Sequence, residues 1–308
     1  MNSPYFTVVV PTYNRAPTIE PTLRSVQSQT LRDFECIIID DGSDDVDQLE
    51  ELVRRMADPR FKVIRRPNGG GGAARNTGIT HARGQYIAFL DSDDRFLPTK
   101  LEIVHRRLAE RPSAALYSYA KVDRGIDGKY WLRPDRPIRA DESMADYLFI
   151  ANQFVQTSTI IISTESARGI MFNPDLRKGQ DLDFCVRAYA SGVHFQMIEE
   201  PLIVWTDIDE SGRTSRQSGV AAPQEWLDGH AEILGRRAVL GYRATVLSYY
   251  QPKHLLPRVL YDLTVAVFCA GVPLRIAARH LLRFCLPRTV YRNVVSVAVR
   301  ALGRSTSA

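Results

Sequence analysis

Asp91, Asp93 and Asp94 fall within four positions, directly after the apolar run Ile87-Ala88-Phe89-Leu90. Carboxylates this close repel one another unless a cation sits among them, and hard carboxylate oxygens suit Mg²⁺ or Mn²⁺. Such a cation commonly holds the phosphates of a nucleotide. An acidic turn opening a helix uses the same residue types, and Asp94 is the one placed to be only a cap. A second acidic pair, Asp40-Asp41, follows Ile37-Ile38-Ile39 and offers oxygens to a nucleobase N–H, a ribose hydroxyl or the next helix. A third feature is Gly69-Gly70-Gly71-Gly72, which leads into Ala73-Ala74-Arg75-Asn76. Glycines admit close backbone approach, a helix N-terminus favours anions, and Arg75 adds a charge-assisted contact. The run is not GxxxxGK[ST], and Pro11-Thr12-Tyr13-Asn14-Arg15 is not GxGxxG, which argues against a P-loop and a dinucleotide site. Far along the chain, Gln180-Asp181-Leu182-Asp183 sets two acids at a helix start. Two residues apart, they face different ways. Asp181 is the candidate general base, and Asp183 is placed to cap the helix or to pair with Arg187 at i+4.

Strands and helices must alternate to bring these groups together. Short β-branched and aromatic runs predict strands at 6–10, 34–39, 61–64 and 86–90. Helical periodicity lies between them at 17–29, from Ser43 or Asp44 to about 57, and at 72–82. Continuous apolar strands separated by helices mean a mostly parallel sheet covered on both faces. Its C-terminal edge then collects 12–15, 40–45, 65–72 and 91–94, where open α/β sheets bind ligands. The second half is less regular, with strands expected at 114–122, 129–132, 158–162, 194–198 and 202–205, and a helix at 180–191. Residues 207–219, polar and without periodicity, read as a mobile loop. From about Pro223 the pattern is helical, broken at Pro252, Pro257, Pro273 and Pro287.

Composition narrows the class. At 308 residues, 44% hydrophobic and 24% charged, the chain is an ordinary globular protein large enough for one α/β domain and an appendage. The four cysteines are scattered and predict reduced thiols, and the six histidines make no ligand pattern. A strand begins by about Phe6 without a basic, apolar leader ahead of it, so no secretory signal is expected. The net charge of +5 is local: residues 251–308 hold nine Lys and Arg and one acid, Asp262. Interleaved with Leu, Val, Ile and Phe, that segment suits an anionic membrane surface better than nucleic acid, which is not expected as a partner. Its longest nearly uncharged stretch, 263–274, is short of the roughly 20 residues that cross a bilayer.

Taken together, Val8-Val9-Val10-Pro11-Thr12-Tyr13-Asn14-Arg15, Ile38-Ile39-Asp40-Asp41-Gly42-Ser43, Ala74-Arg75-Asn76-Thr77-Gly78-Ile79, Ile87-Ala88-Phe89-Leu90-Asp91-Ser92-Asp93-Asp94 and Gln180-Asp181-Leu182-Asp183 closely resemble the inverting family-2 glycosyltransferases of GT-A fold. The resemblance covers residues 6 to about 205. It implies a doubly wound α/β sheet with helices on both faces over residues 1–220, a donor half at about 1–110 and an acceptor half at about 111–220. Residues 221–308 form a basic, amphipathic helical extension. The implied donor-binding residues are Pro11, Thr12, Tyr13, Asn14, Asp40, Asp41, Arg75, Asn76, Asp91 and Ser92. Within that set Thr12 and Asp40 hold the nucleoside and Asp91 the ribose, Asp93 takes Mn²⁺ or Mg²⁺ on the diphosphate, and Asp181 is the catalytic base. The family's usual Glu-Asp is Gln180-Asp181 here, which keeps the base and gives it a neutral neighbour. Arg213 and Arg216, in the polar loop, are expected to close over the diphosphate and exclude water. The implied partners are a nucleotide-diphospho-sugar donor and a glycan or lipid-linked acceptor, at the inner face of the cell membrane, with a homo-oligomer left open. A sugar-phosphate nucleotidylyltransferase shares the architecture, but it needs a Gly-rich, basic loop after the first strand. A degenerate sugar-nucleotide-binding scaffold has no use for the acids at 40, 91, 93 and 181.

Overall fold

The computed structural model describes residues 3–112, 115–126, 128–208 and 220–305. They fall into two compact units, the first of Met1–Asp123, Leu132–Pro137 and Val155–Ile208, the second of Arg124–Trp131, Ile138–Phe154 and Asp209–Ala308.

The first unit is built on β1 (Phe6–Thr12), β2 (Phe34–Asp40), β3 (Phe61–Arg65) and β4 (Tyr86–Phe89), alternating with α1 (Glu20–Gln27), α2 (Val46–Met56) and α3 (Gly70–His81). These strands are parallel and lie in the order β4-β1-β2-β3. Every residue of β1, β2 and β4 is buried, which is why their Val, Ile and Phe runs show no alternation. The chain winds outward from β1 to β3 and then returns to β1's other side, so the switch point lies between β1 and β4. β1 continues through Pro11, beyond its last β4 partner Val9, where it has a neighbour on one side only and a missing N–H is tolerated. α3 lies flush on β1: a Cβ on Gly78 would stand 2.3 Å from Val9 Cγ1.

After the two-residue β5 (Arg95–Phe96) and α4 (Lys100–Glu110), the sheet is extended by β6 (Ala115–Ile126), which leaves the first unit after Asp123. β8 (Ile161–Ser163) fits antiparallel between β4 and β6, followed by α6 (Thr164–Ile170) and α7 (Gln180–Ala190). The two strands expected near 194–205 are one, β9 (Phe195–Thr206), parallel to β6. Register shifts opposite Tyr119 absorb the exposed Glu199 and Glu200, so the polar interruption is a bulge and not a break.

The second unit holds β7 (Lys129–Arg133) from its first residues, α5 (Met144–Phe149) and α8 (Ala221–Tyr242). α5 starts at Ser143, whose hydroxyl accepts from Asp146 N at 3.0 Å. α8 bends at Gly235, which has φ +72°, and passes into the π-helical turn Arg243–Leu247. Helix Leu256–Val265 continues through the turn Ala266–Ala270 to Gly271, at φ +82°, and helices Leu274–Cys285 and Arg288–Leu302 follow. Ile150, Ala244, Val259, Leu263, Ile276 and Phe284 are part of its core. His280 is buried there, its Nε2 3.0 Å from Asn152 Oδ1. Among the described residues no helix is long and apolar enough to cross a membrane.

Candidate active site

Thr12 and Asp40 are register partners at the C-terminal ends of β1 and β2. Both are buried, and among the described residues Thr12 Oγ1 and Asp40 Oδ1 have no hydrogen-bond partner. A buried polar group without a partner costs about 1–3 kcal/mol. Two such atoms stand together at one edge of the sheet. The other oxygen of Asp40 accepts from Ser43 N at 3.2 Å.

Asp41 does not join them. Both of its oxygens accept from the start of α3, with Gly69 N at 3.1 Å and Gly70 N at 2.7 Å, and Arg66 pairs with it. The anion that the glycine-rich helix start attracts is therefore supplied by the protein, and α3 begins at Gly70, two residues earlier than periodicity predicted. Gly71 and Gly72 serve packing: a Cβ on Gly72 would meet Asn173 O at 2.8 Å and Gln180 Nε2 at 3.2 Å. Asn14 and Asn76, expected among the donor contacts, have polar atoms committed to the backbone. Asn14 Oδ1 accepts from Asp44 N at 2.8 Å, its own N donates to Ser43 Oγ at 2.8 Å, and it sits at φ +51°. Asn76 donates to Phe172 O at 2.8 Å and accepts from Phe172 N at 2.7 Å. Pro11 is buried within β1, while Tyr13 is 47% exposed beside Thr12.

The loop after β4 separates its three acids. Asp94 is the anchor and caps no helix: it is fully buried and accepts from Gln156 Nε2 at 2.6 Å, Ser158 Oγ at 2.6 Å and Thr206 N at 3.0 Å. Burial, and then the charges of Asp91 and Asp93, raise its pKa well above the usual carboxylate range. Lys100, also fully buried, donates to Ser158 O at 3.1 Å, and burial pushes its ammonium down to about 7. Thr22 closes the loop from α1, donating to Ser92 O at 3.0 Å and Asp94 O at 2.7 Å. The half-buried Asp91 accepts from Gln156 at 3.3 Å and forms an ion pair with Arg75. Asp93 is also half-buried, 3.9 Å from Arg15 Nη2. Gln156, Ser158 and Thr206 were missed from the sequence, whose only local signal is the polar stretch Gln156-Thr157-Ser158 ahead of β8.

Arg75 joins this loop to α7. Besides Asp91 it donates to Gln180 Oε1 at 2.6 Å, and its guanidinium stands 5.3 Å above the Phe172 ring. Asp181 follows on α7, half-buried and accepting from Leu182 N at 3.0 Å. Its pKa is pushed up to about 6 by burial and by Asp91, against the Leu182 N–H and Arg75. Asp183 turns inward as expected and holds Arg187 at 2.5 Å. Arg213 and Arg216 lie outside the described residues.

Among the described residues no three His, Cys, Asp or Glu side chains make a cation cage. A cation bound mainly by phosphate oxygens needs only one or two carboxylates, and the half-buried Asp93 has the chemistry to be one of them.

An acid-lined edge at the C-terminal ends of parallel strands defines an α/β protein of the class that binds ligands at that edge. The glycosyl transferase family 2 model matches residues 7–175, and the chain belongs to that family. Over 246 residues it is 35% identical to the amylovoran biosynthesis glycosyltransferase AmsB of Erwinia amylovora, covering 78% of this chain and 82% of that protein. An uncharacterized glycosyltransferase of Rickettsia conorii is 36% identical over 191 residues, 59% of this chain but only 29% of that longer protein. The GT-A fold is shared with S. aureus TarS in complex with UDP-GlcNAc, at TM-score 0.64 and 20% identity, covering 95% and 92% of the two chains. The mannosyltransferase PcManGT of Pyrobaculum calidifontis, in complex with GDP-Man and Mn²⁺, matches at TM-score 0.55 and 18% identity over 98% and 81%. The protein is a glycosyltransferase.

Proposed function

We propose that the enzyme moves a sugar from a nucleoside-diphosphate sugar to an acceptor hydroxyl in one displacement with inversion, in the synthesis of a cell-surface polysaccharide or glycolipid. The observation that carries the donor reading is the pair of unpartnered, buried oxygens on Thr12 and Asp40. A nucleoside's N–H and hydroxyl groups satisfy both at once. Asp91, held in place by Arg75 and Gln156, is the ribose contact in this reading. Asp93 would hold a divalent cation with the two phosphates, and that cation would neutralise charge on the departing nucleoside diphosphate. Asp181 takes the proton from the acceptor hydroxyl as its oxygen attacks the anomeric carbon, and a carboxylate of pKa about 6 is mostly ionised at neutral pH. The UDP-GlcNAc and GDP-Man of the structural relatives and the amylovoran role of AmsB support the donor class and the biological setting.

A thermal-shift panel of UDP-, GDP- and dTDP-sugars with Mn²⁺ or Mg²⁺ tests this. Stabilisation by one donor, lost in Asp40→Ala and made metal-independent or abolished in Asp93→Ala, is expected. No response to any donor overturns the reading. NMR of the product's anomeric proton decides inversion.

A further inference from the structure

Helix Leu274–Cys285 divides into three arcs. Ile276, Ala277, His280 and Phe284 are buried in the second unit's core. Of the remaining surface, one arc is polar, carrying the exposed Arg275, Arg279 and Arg283 at i, i+4 and i+8. The other is apolar, with Leu274 73% exposed, Leu282 44% exposed and Ala278 between them. A surface helix ordinarily keeps its outer face polar, so an apolar arc beside an arginine arc calls for a partner with both characters.

The preceding helix and the turn after it also expose apolar side chains. They turn Leu260, Tyr261 and Phe268 outward, the last at 83% exposure. The helix's acid, Asp262, has a side chain only 11% exposed and is paired with Arg258 at 3.1 Å, so negative charge is withdrawn from that surface. Exposed aromatic and leucine side chains and cations thus share a segment that holds nine Lys and Arg and one acid.

We propose that helix Leu256–Val265, the turn Ala266–Ala270 and helix Leu274–Cys285 form a docking surface for an anionic lipid bilayer, with Phe268 and Leu274 entering the acyl boundary and Arg275, Arg279 and Arg283 meeting the headgroups. Arginine stems can lie along apolar surface while their charged ends reach phosphate, and here the exposed Arg283 rests its guanidinium 4.0 Å over the Tyr249 ring while Arg279 donates to Asn152 Oδ1. With no described helix able to span, the attachment is interfacial. A second copy docked on this same face would set basic surface against basic surface, which charge complementarity disfavours.

Co-sedimentation of the full chain with vesicles of phosphatidylcholine, alone or with phosphatidylglycerol, tests the surface without needing donor, acceptor or turnover. Binding at least about tenfold tighter to the anionic vesicles, and weakened by salt, is expected. Phe268→Ser with Leu274→Ser, both at exposed positions, should weaken it about tenfold with an unchanged melting temperature. Arg275→Glu with Arg283→Glu should abolish the preference for anionic lipid. Equal binding to the two vesicle types, or unaltered binding by both double variants, overturns the proposal. So does light scattering in which the serine variant dissociates an oligomer while vesicle binding persists. Donor-induced thermal stabilisation should be the same in the variants as in the wild type, and its loss along with vesicle binding would mean the patch acts through the fold, against the proposal.

Discussion

The acidic loops after β2 and β4 are composed alike and employed alike, but by different means. Each places one carboxylate in the interior as an anchor, Asp41 in the first and Asp94 in the second. The earlier carboxylates differ in setting, Asp40 being buried with one unpartnered oxygen while Asp91 and Asp93 are half-buried. The anchors differ in what holds them. Asp41 takes backbone N–H groups of a helix start together with a guanidinium. Asp94 takes an amide, a hydroxyl and one backbone N–H from segments 62 to 112 residues away, and these three donors are all neutral. The first anchor is charge-compensated, while the second has its carboxyl's pKa raised by burial and neighbouring acids. The loop that receives the diphosphate in the proposed reading is therefore fixed by neutral groups, leaving its cationic neighbours to the other acids.

The largest effect should separate site from anchor altogether. Asp181→Asn is expected to lower turnover about 10²–10⁴-fold with an unchanged melting temperature. In the wild type, kcat/KM should fall as pH drops through about 6, because the folded carboxyl is protonated there. A variant that retains turnover removes Asp181 from the chemistry. Next come the anchors: Asp94→Ala strands three buried donors and should cost about 3 kcal/mol in chemical denaturation, and Asp41→Ala about 1–2 kcal/mol, since Gly69 and Gly70 stay nearer solvent. Asp94→Asn should lose less than Asp94→Ala. Equal costs for the two alanine variants would erase the contrast between the loops. The smallest effect is a shift in a profile. Gln180→Glu gives Arg75 a second carboxylate and sets a negative charge beside Asp181, so the acidic limb should move to higher pH. An unmoved limb would show that the neutral amide does not set the base's pKa.

The parallel core and the convergence of 12–15, 40–41, 91–94 and 181 were legible because each depends on a strand run and the acids that end it. The division of labour among the acids was not. Asp94 read as a helix cap, since its donors at 156, 158 and 206 arrive through β8 and β9, beyond any local pattern. The four glycines read as an anion cradle, whereas Asp41, 28 residues earlier, occupies that place and Gly72 makes room for Asn173 and Gln180. The backbone groups that Asn14 and Asn76 bond, at Asp44 and Phe172, lie 30 and 96 residues away and leave no local sign in the sequence.

Gly78 against Val9 has a consequence for how this sequence can drift. With a Cβ at position 78 falling 2.3 Å from Val9 Cγ1, the helix and strand share one fixed volume. Gly78→Ala alone should cost about 1–3 kcal/mol, and Val9→Ala alone a cavity of similar cost. Made together, the changes should recover part of both losses, a favourable coupling in a double-mutant cycle. Residues 9 and 78 should accordingly vary as a pair, one growing only when the other shrinks.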